Sequence, residues 1–106
     1  MKCSVVVQFR FEGVHYWPEC PIPEVSFLRH PHRHEFHVRI EKAVSHNDRE
    51  VEIIMLKREA QDFCNMNFSN AGRRSCEDMA QALIEQFGLS MAEVLEDGEN
   101  GARLTT

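Results

Sequence analysis

Alternating hydrophobic and polar positions in the first part of the chain predict two β-strands. In residues 4–11, SVVVQFRF, apolar side chains recur at every second position, which is typical of a strand with one buried face. Residues 32–42 repeat this alternation. The side chains predicted to point inward in the second strand are Phe36, Val38 and Ile40, with Glu35, His37, Arg39 and Glu41 pointing outward.

The segments that follow these two strands differ in character. Residues 13–31 contain all four prolines, so we expect an irregular loop, and loops of this length in compact domains are often functional. The polar residues SHND (45–48) after the second strand are typical of a turn. The apolar run VEIIML (51–56) is then predicted to return as a strand that forms a hairpin with the second one.

Helical periodicity begins near the middle of the chain. The spacing of Leu56, Ala60, Phe63 and Cys64 indicates a first helix. The polar stretch 65–74 contains a glycine and is predicted to be a break.

A second helix has clearer boundaries. Ser75 is a candidate N-cap with Asp78 three residues later, and Gly88 is expected to end the helix. Residues 91–96 and 102–105 are predicted to be short strands joined by the turn-forming sequence DGENG. The apolar stripe of the helix consists of Met79, Ala80, Leu83, Ile84 and Phe87. This order of elements predicts an α+β fold with an antiparallel sheet.

Length and composition are typical of one globular domain, which we expect to span residues 1–106. No segment approaches the ~20 apolar residues of a membrane span, and the first residues do not resemble a signal peptide. We therefore expect a cytoplasmic protein without membrane contacts. The net charge is −5 without a basic cluster, so nucleic-acid binding is not expected. The four cysteines form no CxxC pair and are interpreted as reduced thiols.

Five of the six histidines lie between residues 11 and 40. Side chains two positions apart on a strand share a face, so His32 and His34 are expected to project together beside Phe36. His15 follows the first strand and would lie next to them if the two strands pair. Three imidazoles with one open position are typical of catalytic zinc sites. HxH pairs on surface strands commonly bind nothing, so a surface cluster without metal is the alternative interpretation.

Four short motifs lie in order along the chain: FEGVH (11–15), HRHEFHVRI (32–40), SCEDMA (75–80) and AEVLED (92–97). They resemble F-x-x-x-H, H-G-H-x-[FY]-x-V-x-V, T-S-E-N-L-A and V-x-V-x-E-T of the 6-pyruvoyltetrahydropterin synthase and 6-carboxytetrahydropterin synthase family. Arg33 stands in the position of the family's glycine, and Glu96 in that of its glutamate.

The resemblance implies a tunnelling-fold subunit, with an antiparallel four- or five-stranded sheet and two helices on one face. It implies Zn²⁺ held by His15, His32 and His34, and Glu96 as the residue that binds the ring of a reduced pterin or purine-like ligand. The implied activity is that of a lyase-type synthase in which zinc polarises the side chain of the ligand. A homo-oligomer, as a trimer or a dimer of trimers, is also implied.

The residues that would move protons depart from the family pattern. The family has a cysteine a few positions before H-x-H, and the candidates here are Cys20 and Glu24. The family's Asp-His pair after the first helix has no counterpart in FCNMNFSNAGRR (63–74). One alternative is therefore a non-catalytic pterin-, purine- or nucleotide-binding protein that retains the metal. Another is an acidic interaction protein whose histidines face water.

Overall fold

The computed structural model describes all residues, 1–106, and contains five strands, two α-helices and one 3₁₀ helix. The strands are β1 (Cys3–His15), β2 (His32–Val44), β3 (Asn70–Gly72), β4 (Met91–Glu96) and β5 (Asn100–Thr105). The α-helices are α1 (Ile53–Phe68) and α2 (Cys76–Phe87), and the 3₁₀ helix spans Pro23–Arg29. No helix of the chain combines the length and the apolar character that crossing a bilayer requires.

The five strands form one sheet in the order β3-β1-β2-β4-β5. β1 and β2 pair antiparallel along their whole length, from Cys3 opposite Val44 to His15 opposite His32. β4 pairs antiparallel with β2, and β5 with β4. The short β3 runs parallel to the end of β1, so the sheet is mixed and the prediction of a wholly antiparallel sheet is wrong at this edge.

The hydrophobic core lies between one face of the sheet and the two α-helices. α1 packs mainly against β1, and α2 against β4 and β5. The three β2 side chains that the alternation pointed inward, Phe36, Val38 and Ile40, are at most 2% exposed. The α+β class predicted from the order of elements is therefore confirmed.

The predicted strand at 51–56 is wrong, because these residues enter α1. The Glu52 side chain caps this helix by accepting hydrogen bonds from the backbone N–H groups of Ile54 and Met55, both at 3.1 Å. The helix also continues to Phe68, so the predicted break at 65–74 starts too early. The buried residues of α1 are Leu56, Ala60, Cys64 and Phe68, one on each successive turn.

The prediction for α2 is confirmed at both ends. The Ser75 hydroxyl accepts from the Asp78 N–H at 3.1 Å, and the Asp78 carboxylate accepts from the Ser75 N–H at 3.3 Å. Gly88 ends the helix in the left-handed conformation with φ 62°. The final hairpin is also present, although β5 begins at Asn100, two residues before the predicted start.

The long loop is fastened to the sheet at both of its ends. The Tyr16 N–H donates to the Gly72 carbonyl at 2.9 Å, and the Trp17 N–H donates to the Leu28 carbonyl at 2.7 Å. β1 extends to His15, so the irregular stretch starts later than predicted and encloses the 3₁₀ helix. His15 thereby becomes part of the sheet, which fixes its position relative to β2.

Gly13 marks a close approach between β1 and the chain that leaves α1. A Cβ at this position would overlap the Phe68 carbonyl oxygen and lie 3.1 Å from the Phe36 ring. One residue later, the Val14 N–H donates to the Ser69 carbonyl at 3.1 Å. The missing side chain therefore lets the segment after α1 reach the end of β1 and form β3.

Candidate metal centre

Strand register brings four candidate ligands to one end of the sheet's inner face. His15 lies directly opposite His32 in the β1–β2 pair, and His34 follows two positions along β2. On the other side of β2, Glu96 lies opposite Phe36 at the end of β4. The predicted convergence of the three histidines is therefore confirmed, and Glu96 joins them.

The four side chains are close enough to share one ion. Their candidate ligand atoms all lie within 4.8 Å of one another, so the cluster could hold a metal ion. Glu96 Oε2 is 2.9 Å from His15 Nε2 and 3.6 Å from His34 Nε2. In a tetrahedral zinc site with bonds of about 2.0–2.1 Å, neighbouring ligand atoms lie roughly 3.3 Å apart. The two distances from Glu96 Oε2 fall on either side of that value.

The Nδ1 atoms of the three rings point away from the cluster, and their hydrogen-bond partners determine which nitrogen of each ring carries the hydrogen. His15 Nδ1 lies 2.9 Å from the Arg74 carbonyl, His32 Nδ1 lies 2.9 Å from the His30 carbonyl, and His34 Nδ1 lies 2.7 Å from the Asp97 carboxylate. All three partners accept and cannot donate, so each Nδ1 donates its hydrogen. A neutral ring then presents a bare lone pair at Nε2. Hydrogen bonds of this kind are typical of metal-binding histidines.

The inward-facing nitrogens have no hydrogen-bond partner. Nε2 of His15, His32 and His34 is buried and unpaired in each case. The short approach of Glu96 to His15 Nε2 is not a hydrogen bond when the hydrogen is on Nδ1. Three lone pairs and a carboxylate oxygen repel one another unless a cation lies between them. A single protonated imidazole would satisfy only one nitrogen, whereas a metal ion would accept the lone pairs of all three nitrogens and offset the negative charge of Glu96.

The other two histidines of this region lie outside the cluster. His37 has the opposite parity on β2, is one-third exposed, and its Nε2 lies 3.1 Å from Glu35 Oε1. His30 is exposed, and only its carbonyl reaches the cluster, through His32. Both positions agree with the alternation along β2 and the interruption at Pro31.

A cavity of about 510 Å³ opens beside the cluster and is the size of a small-molecule site. Its lining includes His15, His32 and Glu96 together with the aromatic residues Tyr16 and Trp17. The remaining lining residues come from the loop, the start of α2 and the final hairpin: Leu28, Arg73, Arg74, Ser75, Cys76, Glu77, Asn100 and Gly101. Three of the four cluster residues thus form part of the wall of a pocket that combines flat apolar surface with polar groups.

The two arginines of this cavity already have partners. Arg73 forms an ion pair with Glu19. The Arg74 guanidinium lies 5.6 Å from the centre of the Phe68 ring and donates to the Ala71 carbonyl at 3.3 Å. Their contacts tie the loop and the start of α2 to the sheet.

The two candidate proton-transfer residues lie outside the cavity lining. The Cys20 side chain is buried, with Sγ 3.8 Å from the carbonyl oxygens of Ile22 and Val25. Glu24 is exposed in the first turn of the 3₁₀ helix. The structure does not bring either residue to the histidines, and their role in proton transfer stays a prediction.

Two residues at the site were not predicted from the sequence. Cys76 lines the cavity, where burial and the charges of Glu96 and Glu77 raise the pKa of its thiol to about 12. Asp97 receives hydrogen bonds from His34 and from the backbone N–H of Glu35, and these hold the pKa of its carboxyl below its usual value. Both lie inside the motifs noted in the sequence, directly beside a residue of the site.

No family model matches the chain, and no curated protein matches it either.

Proposed function

We propose that this protein binds Zn²⁺ through His15, His32 and His34 and uses the adjoining cavity to bind a reduced pterin or a related purine-like ligand. The observation that carries the proposal is the set of three unpaired Nε2 atoms, each fixed by a hydrogen bond at Nδ1. Three imidazoles form a donor set that zinc commonly takes in catalytic sites. His15 and His32 line the cavity, which supports contact between the ion and a ligand.

Glu96 is suited to hold the ring of such a ligand. Its Oε2 faces the histidines, while its Oε1 lies 3.4 Å from the Asn100 side-chain nitrogen at the cavity wall. A carboxylate can accept two N–H groups of a flat heterocycle and so fix its orientation. Tyr16 and Trp17 provide aromatic surface against which the ring can pack.

In the synthase form of this proposal, the chain's own residues bind and orient the ligand while the metal supplies Lewis acidity at the side chain of the ligand. Glu96 holds the ring, the aromatic wall excludes water, and Cys20 or Glu24 transfers protons. The four motifs that resemble the 6-pyruvoyltetrahydropterin synthase and 6-carboxytetrahydropterin synthase family support this assignment. They also support a tunnelling-fold subunit.

The second candidate is a metal-dependent binding protein without turnover. It is favoured by the position of Cys20 and Glu24, neither of which lines the cavity. In this form the metal, Glu96 and the aromatic wall retain the ligand, and no residue moves a proton.

We also propose a homo-oligomer, as a trimer or a dimer of trimers. β3 pairs only with the last two residues of β1, so most of the outer edge of β1 has no partner strand. β5 forms the opposite edge. Open edges of this kind are usually covered in native proteins, and pairing between copies would cover both. Native mass spectrometry of the purified chain tests this, and a monomer at all concentrations would contradict it.

Metal content is the first test, on protein purified without a histidine tag. We expect about one zinc per chain by mass spectrometry, lost in His32→Ala and in His34→Ala because each removes one ligand. His37→Ala is the matched control, since it removes an imidazole of the same strand from the opposite face. Folded wild-type protein that takes up no added zinc would contradict the proposal.

Ligand binding separates the two candidate functions. Zinc-loaded protein should bind a reduced pterin, and Glu96→Gln should weaken binding roughly 10- to 100-fold because one hydrogen-bonded charge is lost. Incubation with dihydroneopterin triphosphate then reports turnover. Product formation supports the synthase, whereas tight binding without product supports the binding protein. Equal pterin affinity of wild type and Glu96→Gln would contradict the role of Glu96.

A further inference from the structure

The three cluster histidines are oriented by two different kinds of acceptor. His15 and His32 donate from Nδ1 to backbone carbonyls, which the fold supplies whatever side chains are present. His34 instead donates to the carboxylate of Asp97, at 2.7 Å. Asp97 is therefore the one acceptor among the three that a substitution can remove without moving the backbone.

Asp97 is itself held against β2. It follows Glu96, whose partner in the β2–β4 ladder is Phe36. The Asp97 N–H donates to the Glu35 carbonyl at 2.8 Å, and its Oδ1 accepts from the Glu35 N–H at 3.0 Å. Both carboxylate oxygens are thus engaged, one by the backbone of β2 and one by the His34 ring.

The backbone conformation of Asp97 explains how one residue can leave the ladder and still face it. Its φ is 54°, in the left-handed region that aspartate, asparagine and glycine tolerate best. The chain turns there towards β5, while the carboxylate stays beside His34. The side chain of Asp97 is half exposed, and that of His34 is one-fifth exposed.

We propose that Asp97 is the positioning residue of the metal centre. It keeps the His34 hydrogen on Nδ1, so that the lone pair of Nε2 is free to face the cluster. Its negative charge also makes that lone pair bind a cation more strongly. Carboxylates that accept a hydrogen bond from a ligating histidine typically contribute 10- to 100-fold to metal affinity. The effect on affinity rests on the proposed zinc site, whereas the effect on the His34 tautomer exists without metal.

Two substitutions at this position test the proposal while preserving the turn. Asp97→Gly removes the acceptor, and Asp97→Asn retains an acceptor oxygen without the charge. Glycine and asparagine both tolerate positive φ, so neither change strains the backbone. Glu99→Gln is the matched control, because it removes a negative charge from the same exposed turn and keeps the hydrogen bond from the Glu99 backbone N–H to the Glu96 carbonyl.

Nitrogen-15 NMR of the imidazoles in folded, zinc-free protein reports the tautomer directly. In wild type we expect His34 to carry its hydrogen on Nδ1. In Asp97→Gly the His34 signals should shift to a mixture of tautomers, while those of His15 and His32 stay unchanged. A purely structural role of Asp97 would alter stability and leave this selective signature absent.

Zinc affinity, measured by competition with a chromophoric chelator, is the second readout. We expect a loss of roughly 10- to 100-fold in Asp97→Gly and a smaller loss in Asp97→Asn. Glu99→Gln should change the affinity by less than roughly twofold, because exposed charges are screened. The proposal is overturned if Asp97→Gly folds, keeps the His34 tautomer and binds zinc as tightly as Glu99→Gln. Wild-type protein that binds no zinc would instead overturn the metal centre itself.

Discussion

The inner face of the sheet has two ends that share strands and side-chain alternation but differ in what covers them. At one end, Val7, Val38 and Ile40 are at most 5% exposed within the core that the helices complete. At the other end, past Phe36, the same alternation points His34 and His32 into the cluster, and His32 lines the cavity. Alternation therefore selects the face of a strand, and the cover over that face decides whether its residues form a core or a site.

Phe36 separates the two ends, so its removal should have the largest effect. Its ring is fully buried, stacks 5.1 Å from Phe11, and lies 5.3 Å from the His15 ring. We expect Phe36→Ala to lower the free energy of unfolding by about 3–5 kcal/mol in urea denaturation. His37→Ala, on the outer face of the same strand, should stay within about 0.5 kcal/mol of wild type. Equal losses in the two variants would contradict the distinction between the faces.

Zinc should stabilise the protein only while the three histidines of the cluster are all present. At a free zinc concentration 100 times the dissociation constant, binding should raise the free energy of unfolding by about 2.7 kcal/mol. His37→Ala should show the same gain, and His34→Ala should show almost none at that zinc concentration. Thermal or urea denaturation with and without zinc measures both. A full gain in His34→Ala would remove this residue from the ligand set.

Gly13 lies on β1 beside Phe36, where the two ends of the inner face meet, so a substitution there tests the packing of this junction. A methyl group there must displace the Phe68 carbonyl or the Phe36 ring, so Gly13→Ala should cost about 1–3 kcal/mol of unfolding free energy. The neighbouring Glu12 has the opposite parity and is exposed, so Glu12→Ala should change stability by less than about 0.5 kcal/mol. Urea denaturation of both variants provides the comparison. If Gly13→Ala has the same free energy of unfolding as wild type, the segment after α1 can move away from β1 at little energetic cost.

Two cysteines provide the subtlest comparison of core and site. The pKa of both thiols is raised to about 12, but the causes differ. Burial alone raises the pKa of Cys64. For Cys76, burial acts together with the negative charges of Glu96 and Glu77. Both should remain protonated at pH 8 and react with iodoacetamide far more slowly than in unfolded protein, because the thiolate is the nucleophile. Glu96→Gln should speed alkylation of Cys76 and not of Cys64, as followed by peptide mass spectrometry. Equal acceleration of both would indicate general loosening.

The strand-borne part of the site could be predicted because its geometry follows from parity and pairing. His32 and His34 share a face by alternation, and His15 meets His32 once β1 and β2 pair. Loop positions offer no such rule, so the distance of Cys20 and Glu24 from the histidines could not be derived. Asp97 could not be foreseen either, since its role depends on a left-handed conformation within the β4–β5 turn.

The fold shows the same division between regular and irregular information. α2 could be predicted because its cap, apolar stripe and terminal glycine agree. The apolar residues before Leu56 suggested a strand, yet Ile53, Ile54 and Met55 form an exposed first turn of α1, capped by Glu52. β3 has only three residues and pairs with a distant strand, so no local pattern indicates it.

The cluster joins residues that are far apart in the sequence, and this has a consequence for the kinetics of folding. His15 and Glu96 meet only after β1, β2 and β4 have all paired. During synthesis the complete donor set therefore cannot exist until Glu96 has emerged and β4 can pair with β2. Contacts that form after the folding transition state slow unfolding without speeding folding. Bound metal should therefore slow unfolding and lengthen the lifetime of the native state, with little effect on the rate of folding.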